Sequence, residues 1–374
     1  TQFTSAATEA LAARLSALAP TGDWRTTFLS GGSEAVEAAV KFARQLWVER
    51  GQPSRTRFIA RVPSYHGNTL FALSLSGRPH YKKWYGPLLS EVVTTPAPHA
   101  YRSGLADYAR DGAEHYAQCL EAAIQQAGPE TVAAFIAEPV IGSSAGAALP
   151  PPGYFARAAE VCRRHGVLLI SDEILCGAGR TGRFFAGDHF GVEPDLLVLG
   201  KGLGAGYASL SALMVRRALV DEVKAGSGNF MHAQTYMSMP SMTAAGVAVL
   251  DYFEKYGLVE NAARMGERLQ RRLFETLLPL PLVGNVSGLG LLAGVELVED
   301  KTSRRPFPRA RKVAEAVTAA CFDHGLTVWP NVGHVDGVDG DLINLGPPLV
   351  IDEGEVDTLV DRLAQSILHT ARSL

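Results

Sequence analysis

A chain of 374 residues, 47% of them hydrophobic, can bury a large core and is long enough for more than one domain. Its 35 basic and 38 acidic residues give a formal charge of -3, without the basic excess or stripe that tracks a nucleic-acid backbone. Cys119, Cys162, Cys176 and Cys321 form no CxxC pair or metal-ligand spacing, and no apolar run approaches a membrane span, so reduced thiols in a cytoplasmic protein are expected.

The chain opens on Thr1, which suggests a processed form or part of a longer protein. Residues 5–18 carry an apolar face of Ala6, Ala10, Leu11, Leu15 and Leu18, predicting a helix. A short strand at 27–29 runs into Ser30-Gly31-Gly32-Ser33 and a helix over 34–49, whose Val36, Ala39, Val40, Ala43 and Trp47 recur every three or four positions. Free N–H groups at that helix start, beside two glycines, could hold an anion, or the segment could be an ordinary N-cap. A strand over 57–62 leads to Tyr65-His66-Gly67, where Tyr65 could lie against a flat ring.

A helix at 117–127, a strand at 132–137, a helix at 152–165 and strands at 167–171 and 196–199 follow. Strands apolar throughout, alternating with helices, indicate a mostly parallel sheet covered on both faces. A strand at 210–215 and a helix at 243–253 come next. Beyond residue 282 the texture changes: 291–297 alternates with polar positions, 310–322 and 353–374 read as helices, and 328–329 and 342–345 as short extended pieces. The expected organisation is a large domain over 1–270 and a smaller α+β domain over 271–374, with the boundary somewhere in 255–285.

Open parallel sheets bind ligands beyond the carboxyl ends of their strands. Glu138, Asp172 and Lys201 each follow such an end. A lysine able to form a Schiff base, with a carboxylate able to grip a protonated heterocycle, points to pyridoxal 5'-phosphate (PLP). His232, Gln234, Thr235 and Tyr236 form a further polar cluster among Met231, Met237 and Met239, where Thr235 could donate to phosphate.

These pieces together resemble the class III aminotransferases, the ω-aminotransferase group of fold-type I PLP enzymes, across essentially the whole chain. The blocks that carry the resemblance are 30–44 (SGGSEAVEAAVKFAR), 64–68 (SYHGN), 137–140 (AEPV), 171–184 (SDEILCGAGRTGRF), 194–206 (PDLLVLGKGLGAG) and 346–349 (GPPL). The resemblance implies that Lys201 forms the Schiff base, that Asp172 pairs with the pyridine nitrogen, and that Gly32 and Ser33 bind the phosphate. It further implies that Tyr65 and Ile174, the latter in place of a usual valine, cover the two ring faces, with Glu138 behind the ring and His66 alongside the cofactor. Thr235 would reach the phosphate of the neighbouring subunit's cofactor, so a homodimer with shared active sites is expected.

The chain departs from the family in places. Asn344 stands where many members carry an arginine for a substrate α-carboxylate, and the segment 138–146 (EPVIGSSAG) lacks the glutamate that neutralises that arginine. Loss of both avoids one unpaired buried charge. The pair of losses resembles the branch that moves an amino group from a terminal amine or ω-amino acid to a keto acid such as pyruvate, or to an aldehyde. Arg78 or Arg102 would be alternative anchors for the acceptor's carboxylate. Ala178, small where the family is often bulky, would leave room near the substrate. Racemisation or epimerisation on the same scaffold, or a catalytically dead partner, are the competing readings.

Overall fold

The computed structural model describes residues 3–19 and 22–374. In chain order it runs α1 (Ala6–Leu18), β1 (Trp24–Leu29), α2 (Gly32–Glu49), β2 (Arg57–Val62), α3 (Leu70–Leu75), α4 (Pro79–Lys82), β3 (Val93–Pro96), α5 (Tyr108–Ala127), β4 (Val132–Ala137), α6 (Tyr154–His165) and β5 (Leu168–Asp172). It continues through β6 (Leu196–Leu199), β7 (Ser211–Arg216), α7 (Arg217–Ala225), α8 (Pro240–Tyr256), α9 (Leu258–Leu277), β8 (Val283–Leu289), β9 (Leu292–Leu297), α10 (Val313–Asp323), β10 (Trp329–Val332), β11 (Asp341–Leu345) and α11 (Glu353–Ala371).

Seven strands form the large sheet in the order β1-β7-β6-β5-β4-β2-β3. Only β7 runs against the rest, pairing antiparallel with both β1 and β6. Successive side chains of a strand point to opposite faces, and both faces here are covered. Ala134 and Ile136 of β4 and Leu168 and Ile170 of β5 meet Val36, Ala39, Ala43 and Leu46 of α2. Phe135, Ala137 and Leu169 face the other way, against Leu120 and Ile124 of α5 and Phe155 and Ala158 of α6. A one-residue slip would therefore exchange two cores rather than expose one.

Four antiparallel strands, in the order β10-β11-β9-β8, make the second sheet. Val295, Leu297, Ile343 and Leu345 pack beneath α9, α10 and α11. The stretch expected to hold a boundary is instead occupied by α9, twenty residues long and parted from α8 only by Gly257 at φ 56°. Ala262, Met265, Leu269, Leu273 and Leu277 line its buried face and belong to the core of the second sheet, so residue 270 falls inside a helix. The helix predicted from residue 117 begins at Tyr108, where the Asp107 side chain accepts from the Arg110 N–H at 3.0 Å.

The sequence of strand β9 alternates with polar positions, yet all six of its residues are buried. Its alternation is real: Ala293, Val295 and Leu297 face the second core. The other face is covered by the first domain. Gly294 sits so close to Gly146 that a Cβ would lie 2.3 Å from the Gly146 carbonyl oxygen. Glu296 accepts from Arg102 Nε at 2.8 Å, with His334 Nε2 at 2.9 Å and His99 Nε2 at 4.0 Å. Burial drives the His99 imidazole down to about 4, whereas its cationic neighbours hold Glu296 near 2 against the upward pull of burial.

Candidate active site

The carboxyl ends of β2, β4, β5 and β6 are adjacent in the sheet, and the expected residues gather there. Asp172 is the last residue of β5 rather than the first beyond it, and is 2% exposed. Its Oδ2 lies 2.7 Å from His66 Nδ1, and its Oδ1 accepts from the Ile174 N–H at 3.0 Å. His66 is fixed in turn, its N–H donating to Ser76 Oγ at 2.9 Å, while its buried Nε2 has no partner.

Glu138 follows β4 directly. Its Oε1 accepts from the Tyr65 N–H at 3.3 Å and its Oε2 stands 3.6 Å from Arg61 Nη2. Burial raises the Glu138 carboxyl, with His66 and Arg61 opposing. Arg61, at the end of β2 and 1% exposed, also donates to the Glu138 carbonyl. The sequence reading missed Arg61, whose only signal was an arginine in an otherwise apolar strand.

Lys201 comes one residue after β6, with φ 41°, opening a short 3-10 turn. Its side chain lines the cavity and is exposed there. Burial lowers its ammonium pKa, while Asp172, Cys176 and Glu138 act in the opposite direction. The cavity, about 860 Å³, is bounded by Lys201, Ala178, Arg180, Tyr207, Phe253 and Leu349 among others. Ala178 stands at its wall, and a Cβ on Gly202 would lie 3.0 Å from it.

The start of α2 meets the same place. Glu34 turns back to accept from the Ser30 and Gly31 N–H groups at 2.9 and 3.1 Å, leaving the next amides of the first turn unclaimed by that side chain. Ser33 Oγ accepts from the Asn68 N–H at 2.9 Å, joining the helix start to the Tyr65-His66 loop. Ile174 closes over Gly32: a Cβ there would fall 2.9 Å from Ile174 Cγ2.

A second residue missed from sequence is Glu173. Its two oxygens accept from the Ala186 and Gly187 N–H groups, both at 2.7 Å, and burial pushes its carboxyl up to about 8. Cys176 packs beside it, 3.9 Å from Glu173 Oε2, and burial raises its thiol far above the ordinary range. Cys176 is 1% exposed and packs in the core with Val140, Ala147 and Ala186, where a neutral thiol is inert.

Thr235 is not brought to these residues within the chain. It lies on an exposed loop flanked by exposed Met231, Tyr236 and Met239. Asn344 sits in β11 with its Nδ2 directed to the Trp329 carbonyl at 3.4 Å. Arg102 is committed to Glu296, whereas Arg78 lies beside Tyr65.

The donor set fits PLP. A helix start with a tight glycine suits a phosphate, a buried carboxylate suits a pyridinium, and a lysine of lowered pKa suits Schiff-base chemistry. Among the described residues no cluster of histidine, cysteine or carboxylate side chains could hold a metal ion, and no helix is long and apolar enough to cross a membrane.

Comparison with known proteins agrees. The family model for Aminotransferase class-III matches residues 1–367. An uncharacterized aminotransferase, YodT of Bacillus subtilis, is 38% identical over 375 positions, covering all of this chain and 84% of its own length. A thermostable (S)-enantioselective omega-transaminase from Thermomicrobium roseum superposes with TM-score 0.92 at 36% identity, over 98% of this chain and 80% of that one. The omega transaminase from Pseudomonas jessenii in complex with PMP superposes at 0.91 with 33% identity, over 100% and 81% of the two chains. The racemase alternative is thereby set aside, and the chain belongs to the class III aminotransferases, PLP-dependent enzymes of fold type I.

Proposed function

We propose that this aminotransferase takes an amino group from a terminal amine or ω-amino acid and delivers it to a keto acid such as pyruvate. The observation that carries the reading is the state of Asn344. It is a neutral side chain whose amide turns to the Trp329 carbonyl, and no acid stands in 139–146 to balance an arginine there. A pocket without that pair does not select a donor's α-carboxylate by that route. The names of several similar structures, which are omega-transaminases, point the same way.

When bound, PLP supplies the carbonyl that receives the amino group and a protonated ring that absorbs the negative charge left at the substrate carbon. The chain's own residues do the rest. Gly32 and Ser33 hold the phosphate at the α2 start. Asp172 keeps the ring nitrogen protonated, with His66 and the Ile174 N–H fixing the carboxylate. Tyr65 and Ile174 would cover the faces of the bound ring, and Glu138 would stand behind it. Lys201 Nζ, which burial makes a readier base than a surface lysine, takes the proton from the substrate carbon and gives it back. Thr235 serves the phosphate of a second subunit. Its exposure among exposed Met231, Tyr236 and Met239 supports an isologous dimer that shares its sites.

The test is kcat/KM for a terminal-amine donor against glutamate and ornithine. A clear preference for the α-amino group of glutamate would sink the reading. Borohydride reduction and peptide mapping should place the cofactor label on Lys201; a label on any other lysine refutes that assignment.

A further inference from the structure

Three arginines among the described residues are more than nine-tenths buried: Arg55, Arg61 and Arg78. Arg55 donates to the carbonyls of Pro129, Val132 and His165, and Arg61 donates to Glu138. Arg78, 5% exposed, has no recorded hydrogen bond or ion pair from its side chain. Its Nε is sealed from solvent without a partner. Its two terminal nitrogens donate to no protein group among the described residues.

Only the flat face of the guanidinium is occupied, lying 4.0 Å from the Tyr81 ring centroid and 5.7 Å from that of Tyr65. Aromatic faces return part of the cost of removing a cation from water, but they leave the N–H edge unspent. The position is not accidental slack. The Gly77 N–H donates to Ser64 O and Ser64 Oγ, both at 3.0 Å, and Ser76 Oγ accepts from His66 N–H at 2.9 Å. Residues 76–78 are thereby sewn alongside 64–66, and Arg78 is held beside the ring of Tyr65, the residue before His66.

We propose that Arg78 receives the carboxylate of the acceptor keto acid, and of an ω-amino acid donor, through its open N–H edge. This rests on the keto-acid reading given above. A planar fork offering two parallel N–H···O bonds is the group that matches a carboxylate. Of the alternatives, Arg102 is bound to Glu296, Asn344 carries no charge, and Arg180 on the cavity wall donates to the Leu291 and Pro347 carbonyls.

The experiment compares wild type, Arg78→Lys and Arg78→Met holoenzymes, with pyruvate and with neutral propanal as acceptor, using whichever amine the wild type prefers. Arg78→Met should lower the ratio of kcat/KM for pyruvate to that for propanal by about 10- to 100-fold, the scale of a lost charge-assisted hydrogen bond. Arg78→Lys, which keeps the charge without the fork, should fall between. Calorimetric binding of propionate, a carboxylate that cannot react, should be lost in Arg78→Met and weakened in Arg78→Lys. A ratio within 3-fold of wild type in both variants overturns the proposal. So does an equal fall for both acceptors with loss of bound-cofactor absorbance, which would assign Arg78 to the cofactor. Should Arg78→Met fail to fold, Arg78→Lys with an unshifted thermal midpoint decides by the same ratio and by propionate. A wrong donor assignment leaves these ratios readable. A wrong acceptor assignment shows in wild type alone, as preference for propanal, and takes the proposal with it.

Discussion

Three buried carboxylates within one short stretch of sheet edge differ by what each accepts. Asp172 has His66 on one oxygen and an amide on the other. Glu138 has one long amide contact and a more distant arginine, and burial raises it. Glu173 has two short amide bonds that tie down the 186–187 turn. Only the first has an imidazole within hydrogen-bonding distance, which fixes the carboxylate in place to meet a ring nitrogen. Asp172→Asn preserves shape and removes the charge; single-turnover proton transfer should slow by about 10²-fold or more while the fold survives. His66→Phe leaves the carboxylate but removes its brace, and should cost less, on the order of 10-fold. Equal rates in wild type and Asp172→Asn would reject the role. Lys201, Asp172 and Glu138 were legible in the sequence because strand ends announce themselves. Arg61 and Glu173 were not, since the Glu138 carbonyl and the Ala186 and Gly187 amides that define them lie at sequence distances no local pattern reports.

Between elements, one close constraint at the site is α2 against the loop after β5. Gly32 can start α2 only because it has no side chain under Ile174. Gly32→Ala forces a contact of 2.9 Å and must displace one partner or the other. A substitution of that kind typically costs 1–3 kcal/mol by overpacking, and here it falls on the phosphate cradle. PLP affinity, followed by fluorescence titration of apoprotein, should drop by about 10-fold or more; adding Ile174→Ala should restore part of it. An unaltered titration in Gly32→Ala would show that the cradle lies elsewhere. Five strands of the large sheet, β2, β4, β5, β6 and β7, could be read to within one residue, since continuous apolar runs bounded by turns leave few alternatives; β1 was read three residues short, and the edge strand β3 was not read at all. Helix α9 escaped notice although its apolar positions recur at helical spacing, because only Gly257 separates it from α8 and the change of texture beyond 282 drew the boundary to the wrong kind of feature.

Across the whole molecule, the two sheets are joined by charge as well as by packing. In the folded protein His99 stays neutral down to about 4, whereas its unfolded counterpart takes a proton near 6.5. Glu296 stays charged down to about 2, whereas the unfolded residue is protonated near 4.5. In both windows the unfolded chain binds the extra proton, so stability falls as pH drops through 6.5 toward 4 and again below 4.5. Thermal midpoints should decline over that range, and His99→Gln should flatten the part between 6.5 and 4. A midpoint independent of pH from 7 to 4 would contradict the arrangement. Light scattering at assay concentration should find a dimer; a fully active monomer would remove Thr235 from the site.

The meeting of Gly294 with Gly146 bears on how such a chain can be inherited. Gly294, in the second sheet, has no room for a side chain against the Gly146 backbone, and Gly146, in the segment after Glu138, sits at φ 65° where a Cβ would lie 2.8 Å from Leu342 Cδ2 of the same sheet. The two stretches are 148 positions apart in sequence, yet they form a single unit of heredity. A crossover that brought in a foreign second sheet with alanine at 294 would arrive already misfitted to the loop at 143–146. Chimeras between relatives should therefore succeed when both glycines come through together, and lose solubility or activity when the splice replaces either one.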